Sequence, residues 1–409
     1  MIYFGMSEDR TRSREPEPEP EKLKYDEFYD RHLDLHKRSE NPFVVKEDDI
    51  PWEVAKQGKL KWYSLHAVDN AVLPETMVFK EEIAEHSGRH THQGGLGLFG
   101  LKGKGATVVD DQRVEWEAGD FVCLPVKPGG VTHQHFNRGD PDNPAQWLAI
   151  IYQPHLERPG AAIAQKTVSK DWEEMHGAAE DAHGHDHGDE HGYHSHEGPE
   201  DPEHEHDEDD EQAVGIPSEL DDFSQVNEHF EDFDYSDWLD YESPEETETL
   251  YDDLIDRRNR FRRQMARTQE KGTWGIIKRD YPDWELNPQG RMKWYLHPDL
   301  DDRSLQNLLY AVQEIPPGSR SGKQQRQGGI VHYFLEGSGH SIINGKRHDW
   351  EAGDYLGLPY TPDGHSVQHF NDDNSSSVRF VFAEPNPGGL GVDLGAGFKQ
   401  LEPCPEYEA

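Results

Sequence analysis

The sequence predicts an all-β core made of two tandem barrel or sandwich domains, with α-helices at their flanks. The first observation behind this prediction is an internal repeat, since residues 87–125 align without a gap with residues 321–359. The second is the abundance of short alternating runs, such as RVEWEAGDFVCLP, that are broken by Gly, Pro and Asp. Many short strands at even spacing are typical of closed or nearly closed β-barrels and sandwiches. A repeat of this kind in a chain of 409 residues indicates two domains of the same fold.

A helix is predicted ahead of each β-domain. Residues 21–39 show an amphipathic pattern whose apolar members are Tyr25, Phe28, Tyr29, Leu33 and Leu35. The second helix is predicted to begin at Ser243, a capping hydroxyl followed by Pro244, and to end at Gly272. Apolar residues recur through it at helical spacing, at Leu250, Leu254, Phe261 and Met265.

A short approach segment leads from each predicted helix into the following β-domain. Val44, Val45 and Lys46 of the first half match Ile276, Ile277 and Lys278 of the second half. The repeat unit predicted from this match is a helix, an approach strand and a β-domain.

These patterns divide the chain into five segments. The expected order is a disordered tail (1–20), an N-terminal domain (21–165), a flexible acidic linker (166–242), a C-terminal domain (243–400) and a tail (401–409). The centre of the linker has nine histidines among acids and glycines, so it is too polar to bury a core. Two hypotheses remain open for it, a solvated tether and a segment that buffers metal ions.

Composition excludes several classes of partner. The formal net charge of −41 makes the chain repel nucleic acid and anionic membrane surfaces. No apolar run approaches the roughly 20 residues of a membrane span, and the N-terminus lacks the pattern of a signal peptide. Cys123 and Cys404 are the only cysteines and suggest no disulfide framework, so a cytoplasmic location is expected.

Three histidines of the first half carry the predicted chemistry. His90 and His92 form an HxH pair, and alternation along a strand places both imidazoles on one face. His133 lies on a later strand and is the predicted third metal ligand. His135 follows on the same face, where it is either a pocket residue that handles protons and hydrogen bonds or a packed histidine.

These motifs resemble those of the cupin superfamily, and the duplicated form resembles a bicupin. His90 and His92 match the first cupin motif, although Leu96 and Gly97 stand where its glutamate is expected. Gly119, Pro125, His133 and Asn137 match the second motif, with a longer loop. The resemblance implies two cupin barrels, also called double-stranded β-helices or jelly rolls, with a mononuclear metal in the first.

The missing glutamate narrows the resemblance to the gentisate- and salicylate-type ring-cleaving dioxygenases. That family holds Fe(II) by three histidines, and its second motif has a His-x-His-x-Asn run like His133 to Asn137 here. The resemblance implies an O2-dependent dioxygenase for a small phenolic or hydroxy-aromatic acid, with His135 near the substrate and a homo-oligomeric assembly. Ni, Mn, Zn and Cu remain possible metals.

Alternative functions remain open. One is a different cupin enzyme, such as an isomerase, decarboxylase or lyase, and another is a bicupin that binds metal or small molecules without catalysis. In the second half Gln324, Arg326 and Val367 occupy the ligand positions, which predicts a degenerate site without metal. That barrel is expected to be structural, with two alternatives, an anion held by Arg326 or a non-standard site that uses His365 and His369.

Overall fold

The described residues fold into two barrels, each made of two antiparallel sheets, one of seven strands and one of five, so the predicted fold class is confirmed. The structure is a computed structural model, and it describes residues 24–68, 71–109, 112–126, 130–153, 164–176, 235–386 and 398–408. Within these residues the α-helices are α1 (Lys24–Arg38), α2 (Lys170–His176), α3 (Leu250–Lys271) and α4 (Pro405–Glu408).

Within the described residues, the first half contributes twelve strands. They are β1 (Val44–Val45), β2 (Glu53–Val54), β3 (Lys59–Ser64), β4 (Thr76–Ile83), β5 (His90–His92), β6 (Leu96–Lys102), β7 (Lys104–Val109), β8 (Gln112–Glu117), β9 (Phe121–Leu124), β10 (Val131–Asn137), β11 (Ala145–Tyr152) and β12 (Ala164–Gln165).

The second half repeats this series of strands. They are β13 (Ile276–Ile277), β14 (Trp284–Asn287), β15 (Gly290–Leu296), β16 (Leu308–Ile315), β17 (Lys323–Arg326), β18 (Ile330–Glu336), β19 (Ser338–Ile343), β20 (Lys346–Glu351), β21 (Tyr355–Leu358), β22 (His365–Asn371), β23 (Val378–Pro385) and β24 (Phe398–Glu402).

The strand orders of the two barrels correspond one to one. The N-terminal barrel has the orders β13-β9-β6-β11-β4-β3-β2 and β12-β5-β10-β7-β8. The C-terminal barrel has β1-β21-β18-β23-β16-β15-β14 and β20-β19-β22-β17-β24. A site in one barrel can therefore be compared with the other barrel residue by residue.

The two approach strands change places between the barrels. Strand β1 pairs with β21 of the C-terminal barrel, with Val44 opposite Leu356. Strand β13 pairs with β9 of the N-terminal barrel, with Ile276 opposite Val122. The sequence match identified both segments, but each was expected to lead into its own domain. Each barrel instead takes its seventh strand from the other half of the chain.

Two buried aspartates fasten these exchanged strands. Asp354 accepts hydrogen bonds from Lys46 Nζ at 2.7 Å and from the Glu47 backbone N–H at 3.0 Å. Asp120 accepts from Lys278 Nζ at 2.9 Å and from the Arg279 backbone N–H at 2.8 Å. Both aspartates come from the repeated sequence EAGD. The repeat thus preserves a contact between the barrels.

The interface between the barrels is a hydrophobic core in its own right. Tyr63 donates a hydrogen bond to the Gly353 carbonyl at 3.0 Å, and Tyr295 donates to the Gly119 carbonyl at 2.6 Å. Both glycines have a positive φ, 96° and 90°, which other residues rarely adopt. The same buried cluster contains aromatic residues of both halves, among them Phe99, Phe121, Tyr310, Tyr333 and Tyr355.

The helices differ in part from the sequence prediction. Helix α1 is present, but Tyr25, Tyr29, Leu33 and Leu35 are all exposed, so its described apolar residues contribute little to the core. The helical spacing of these apolar residues predicted the helix correctly, but it did not predict that their side chains would face solvent.

The predicted start of the second helix at Ser243 is wrong. Helix α3 begins after Thr249, which forms a reciprocal capping box with Asp252. This arrangement satisfies backbone N–H groups at the first turn, which the Ser243-Pro244 pair does not reach. The predicted end is confirmed, because Gly272 adopts the left-handed conformation with a φ of 69°. Of the four predicted apolar residues, Met265 is buried, whereas Leu250, Leu254 and Phe261 are exposed.

Both barrels extend beyond the expected segment boundaries. Ser169, expected in the linker, donates its backbone N–H to the Lys56 carbonyl at 2.8 Å, which holds the start of α2 against the N-terminal barrel. Strand β24, which crosses into the expected terminal tail, pairs with β17 of the C-terminal barrel. Cys404 beyond it is buried. The histidine-rich centre of the linker lies outside the described residues.

Two smaller expectations concern cysteine and the membrane. Cys123 is fully buried in β9, as expected of a packed small residue, and burial raises the pKa of its thiol to about 12.

None of the described helices combines the length and the apolar character that crossing a bilayer requires.

Candidate metal centre

The three predicted ligands lie on adjacent strands. Strand β5 pairs with β10 so that His133 stands opposite His90 and Val131 stands opposite His92. Alternation along β5 buries His90 and His92 while Thr91 between them is only partly buried. The structure therefore brings together the histidines that the sequence motif selected.

The geometry of this histidine cluster fits a single metal ion. One ring nitrogen from each of His90, His92 and His133 lies within 4.8 Å of the other two. The ring centroids are 4.2 Å apart for His90 and His133, and 4.6 Å apart for His92 and His133. All three side chains are buried. Three imidazole nitrogens that converge in this way match the ligand set of a mononuclear centre with open coordination positions.

Burial keeps these rings in the neutral form that binds metals. Desolvation, with a smaller contribution from the nearby His90, lowers the pKa of His92 to about 3. Desolvation also lowers the pKa of His90 and holds that of His133 well below the ordinary value. Because protonation would place a positive charge in a buried cluster, the imidazoles remain available as ligands at physiological pH.

Backbone groups orient the rings. Nδ1 of His90 lies 3.5 Å from the Gly88 carbonyl, and Nδ1 of His133 lies 3.4 Å from the Val131 carbonyl. A proton on Nδ1 leaves Nε2 of these rings as the ligand atom. His92 differs, because its Nδ1 accepts a hydrogen bond from the Gly94 N–H at 2.9 Å. Ligation by Nε2 of His92 requires that ring to give up the Gly94 contact.

Among the described residues, no carboxylate joins this cluster. The positions that a cupin glutamate would occupy, Leu96 and Gly97, begin the buried strand β6. The cluster therefore offers three imidazole nitrogens, and the role of these histidines as metal ligands stays a prediction. A second group, made of His340, Asp349 and Asp372, is mostly exposed, and Arg347 already pairs with both aspartates.

Sequence reasoning missed Glu81, the most conspicuous buried carboxyl of the N-terminal barrel. It is fully buried, and both carboxylate oxygens lack a hydrogen-bond partner among the described residues. Desolvation raises its pKa well above the ordinary value. The Gln57 amide is close enough to lower this pKa in part, without reaching hydrogen-bond geometry. A neutral, protonated carboxyl group is the form that this environment favours.

Glu81 has a counterpart at the equivalent position of the other barrel. Glu81 in β4 and Gln313 in β16 both stand two residues before the end of their strands, and the strands pair equivalently with β11 and β23. Gln313 lines the interior cavity of the C-terminal barrel. The spacing between these strands and the HxH position differs by two residues between the halves, so an ungapped alignment could not match them. A gapped alignment that placed Glu opposite Gln would have provided the signal.

His135 belongs to a hydrogen-bonded network beside the cluster. Its Nδ1 lies 2.9 Å from Thr107 Oγ1, which also accepts the indole N–H of Trp116 at 3.1 Å. Its Nε2 is buried without a partner among the described residues. Burial lowers the pKa of His135 well below the ordinary value, and His90 and His92 add to this effect.

The C-terminal barrel contains the same network without the metal ligands. His369 Nδ1 lies 2.7 Å from Ser341 Oγ, which accepts the indole N–H of Trp350 at 2.9 Å. Because this trio persists where Val367 replaces a ligand, the network has a structural role in both barrels. Any catalytic role of His135 must come from its unpartnered Nε2 and its position next to His133, with the two rings 5.3 Å apart.

The ligand positions of the C-terminal barrel hold side chains unsuited to a cation. Gln324 in β17 stands opposite Val367 in β22, which is the register of His90 and His133. Arg326 is buried and forms an ion pair with Glu384. A guanidinium fixed at this point repels a metal ion, and Val367 has no donor atom. The described residues of this barrel hold no metal-ligand group at these positions.

Comparisons with known proteins agree with this fold. A family model described as a cupin domain matches residues 78–151, the segment that contains the histidine cluster. No curated protein matches the sequence at a significant level. The similar solved structures include a tryptophan-to-phenylalanine variant of oxalate decarboxylase from Bacillus subtilis, with 10% identity and a TM-score of 0.50 over 88% of this chain and 80% of that one.

A structure of Bacillus subtilis oxalate decarboxylase at pH 4.6 has a TM-score of 0.49 and 10% identity, over 88% of this chain and 78% of that chain. The specific resemblance to gentisate and salicylate dioxygenases is not among these findings and stays a prediction. Together with the two paired sheets of each half, the cupin-domain match shows that the fold is that of two tandem cupin barrels.

Proposed function

We propose that the N-terminal barrel is a mononuclear metal-dependent enzyme that acts on a small organic acid. The observation that carries this proposal is the buried cluster of His90, His92 and His133, with its nitrogens within 4.8 Å of one another. These three residues would hold the ion. A divalent ion bound there would supply a Lewis acid that orients and polarises the oxygen atoms of the substrate.

The donor set favours an anionic substrate. Three neutral imidazoles leave the full +2 charge of a divalent ion uncompensated by ligands, so a carboxylate or phenolate is the natural partner for it. The resemblance implied Fe(II), and neutral imidazole ligands also suit Ni, Cu and Zn, while Mn is more usual with carboxylates. Elemental analysis of protein purified without added metal distinguishes these ions.

A reaction without O2, of the decarboxylase, isomerase or lyase type, is the first candidate. Such reactions move a proton to or from carbon or oxygen. Glu81 supports this class, because its raised pKa keeps a proton on a buried carboxyl group that can serve as a general acid. The solved structures of similar fold bear the name oxalate decarboxylase, which is an activity of this class.

The ring-cleaving dioxygenase is the second candidate. It rests on the absence of a carboxylate from the histidine cluster and on the His133-x-His135-x-Asn137 run. In this case the buried Nε2 of His135 would meet the substrate, and the apolar surroundings would exclude water from the reaction.

Parallel assays separate the two candidates. Purified protein is incubated with a panel of dicarboxylic, hydroxy and phenolic acids, and O2 uptake and CO2 release are recorded for each. Turnover at constant O2 identifies the first class, and turnover with matched O2 consumption identifies the second. His92→Ala is the control, since any activity that survives it does not come from this cluster. Absence of turnover under both conditions, with metal bound, would contradict the proposal of an enzyme.

A further inference from the structure

The C-terminal barrel encloses a cavity that the metal chemistry does not use. Its volume is about 260 Å³, and it lies at the positions that correspond to the ligands of the other barrel, with Gln324, Arg326 and Val367 in its wall. For comparison, an apolar cavity of about 150 Å³ is large enough to bind benzene. The space is sufficient for one substituted aromatic ring.

The charges around this cavity are already balanced. The guanidinium of Arg326 pairs with the carboxylate of Glu384 and lies 3.2 Å from Gln324 Oε1. Burial lowers the pKa of His332 well below its ordinary value and that of His369 to about 3, so both rings in the wall are neutral. A charged ligand would have to leave water and compete with an existing ion pair. The electrostatics favour an uncharged ligand.

Most of the surface that the wall presents is apolar and aromatic, although Asn287, Gln289 and Gln400 also border the cavity. Met292, Ile330 and Val367 line it together with the rings of Trp294 and Phe382. These two rings stand edge to face, at an interplanar angle of 88° and with centroids 6.2 Å apart. A flat aromatic ring gains both apolar burial and ring contacts in such a space.

Two amide oxygens on the polar side of the cavity can accept a hydrogen bond from a ligand: Gln313 Oε1 and Gln289 Oε1, of which the latter is buried without a partner among the described residues. Gln313 donates through Nε2 to the Gln289 carbonyl at 2.8 Å, which leaves its amide oxygen Oε1 as an acceptor. Gln313 is 2% exposed and lines the cavity, so a partner for this oxygen approaches from the cavity. A ligand hydroxyl there would donate to it. In the N-terminal barrel the same position is Glu81, which shows that the two interiors have diverged in their polar groups as well as in their metal ligands.

From this combination we infer that the C-terminal barrel binds a small uncharged phenol, with its ring against Trp294 and Phe382 and its hydroxyl donating to Gln313. The inference is independent of the reaction in the N-terminal barrel. It stands in place of the expectation that this barrel is purely structural. It also disfavours the alternative that Arg326 holds an anion, because the guanidinium of Arg326 already forms an ion pair with Glu384.

Binding of phenol and benzoate to the full chain tests this inference. The two probes share a ring and differ in charge at neutral pH, and titration calorimetry with ligand-observed NMR measures both affinities. Phenol is expected to bind at least about fivefold more tightly than benzoate. Gln313→Leu removes the acceptor at similar volume and is expected to weaken phenol about five- to tenfold, the usual effect of one hydrogen bond. Val367→Phe fills the cavity and is expected to abolish binding.

The matched control is His133→Val, which gives the N-terminal barrel the residue of the C-terminal one. It is expected to leave phenol affinity unchanged. Thermal unfolding of each variant verifies that it is folded, and Gln313→Leu decides the matter if Val367→Phe does not fold. With the N-terminal site disabled by His133→Val, the inference is overturned if benzoate binds more tightly than phenol. It is also overturned if neither probe shows saturable binding, or if His133→Val removes phenol binding while Gln313→Leu does not.

Discussion

The two barrels share a framework and differ in what they place inside it. Both have the same strand orders, the same hydroxyl–histidine–tryptophan network and the same buried aspartate that holds an exchanged strand. The interiors differ at the positions of His90, His92 and His133, which become Gln324, Arg326 and Val367. Features that both barrels share therefore build the fold, while side chains found in one barrel only are the candidate catalytic or ligand-binding residues.

The largest expected effect comes from removing a metal ligand. His92→Ala leaves two histidines and is expected to lower activity by more than about 100-fold, since even changes behind the ligands cost 10–100-fold. Gln324→Ala, a change at a ligand position of the other barrel, is expected to leave activity within about twofold. Steady-state rates of the two variants at equal metal loading provide the measurement. Similar losses of activity in both variants would show that activity does not depend on the N-terminal histidine cluster alone.

A large effect on stability is expected at the exchanged strands. Asp120→Asn and Asp354→Asn each weaken hydrogen bonds from a lysine and from backbone N–H groups. Hydrogen bonds to a charged group contribute about 1.5–3 kcal/mol, so each variant is expected to lose that much free energy of unfolding. Chemical denaturation measures it. Because the contact is the same in both barrels, a loss confined to one variant would contradict the pseudo-symmetric account of the interface.

Glu81→Gln converts an N-terminal barrel residue into its C-terminal counterpart. The raised pKa means that the folded state holds a proton that the unfolded state releases above about pH 4.3, so ionisation of this group favours unfolding as pH rises. The variant cannot ionise, so its stability relative to the native chain is expected to rise between about pH 4 and pH 7, with no such gain below about pH 4. If Glu81 supplies a proton, activity falls at the same time. A variant less stable at pH 7 than at pH 4, relative to the native chain, would refute this description of Glu81.

The smallest expected effect concerns the network that both barrels share. Thr107→Val and Ser341→Ala each remove the hydroxyl that contacts a histidine and a tryptophan. Each is expected to cost about 1 kcal/mol of unfolding free energy. Thermal melts of the two variants should shift together. A strong loss of activity in Thr107→Val at unchanged stability would instead give His135 a direct role in the reaction.

Much of this architecture could be predicted from the sequence, because local signals specify it. The HxH pattern placed His90 and His92 on one face, and the alignment of the halves identified the barrel that keeps its histidines. The end of α3 followed from Gly272, a residue suited to the left-handed cap. These features depend on residues near one another in the chain.

The features that escaped prediction depend on long-range packing. The exchange of β1 and β13 between the barrels could not be read from either segment. The short apolar sequences around Val44 and Ile276 do not specify which strand they pair with. Helix α3 begins after Thr249 rather than at Ser243, because Thr249 and Asp252 form a capping box that satisfies the first turn. Glu81 was missed because it lies on a strand outside the aligned motifs, and its burial is visible only in three dimensions.

Metal stoichiometry tests the central claim, that the N-terminal barrel alone holds a metal ion, most directly. The chain lacking residues 176–211, which removes the nine linker histidines, is purified without added metal, dialysed against a weak chelator and analysed by elemental mass spectrometry. We expect one tightly bound divalent ion per chain, which Gln324→Ala retains and His92→Ala loses. Two ions per chain, or equal retention in both variants, would contradict it.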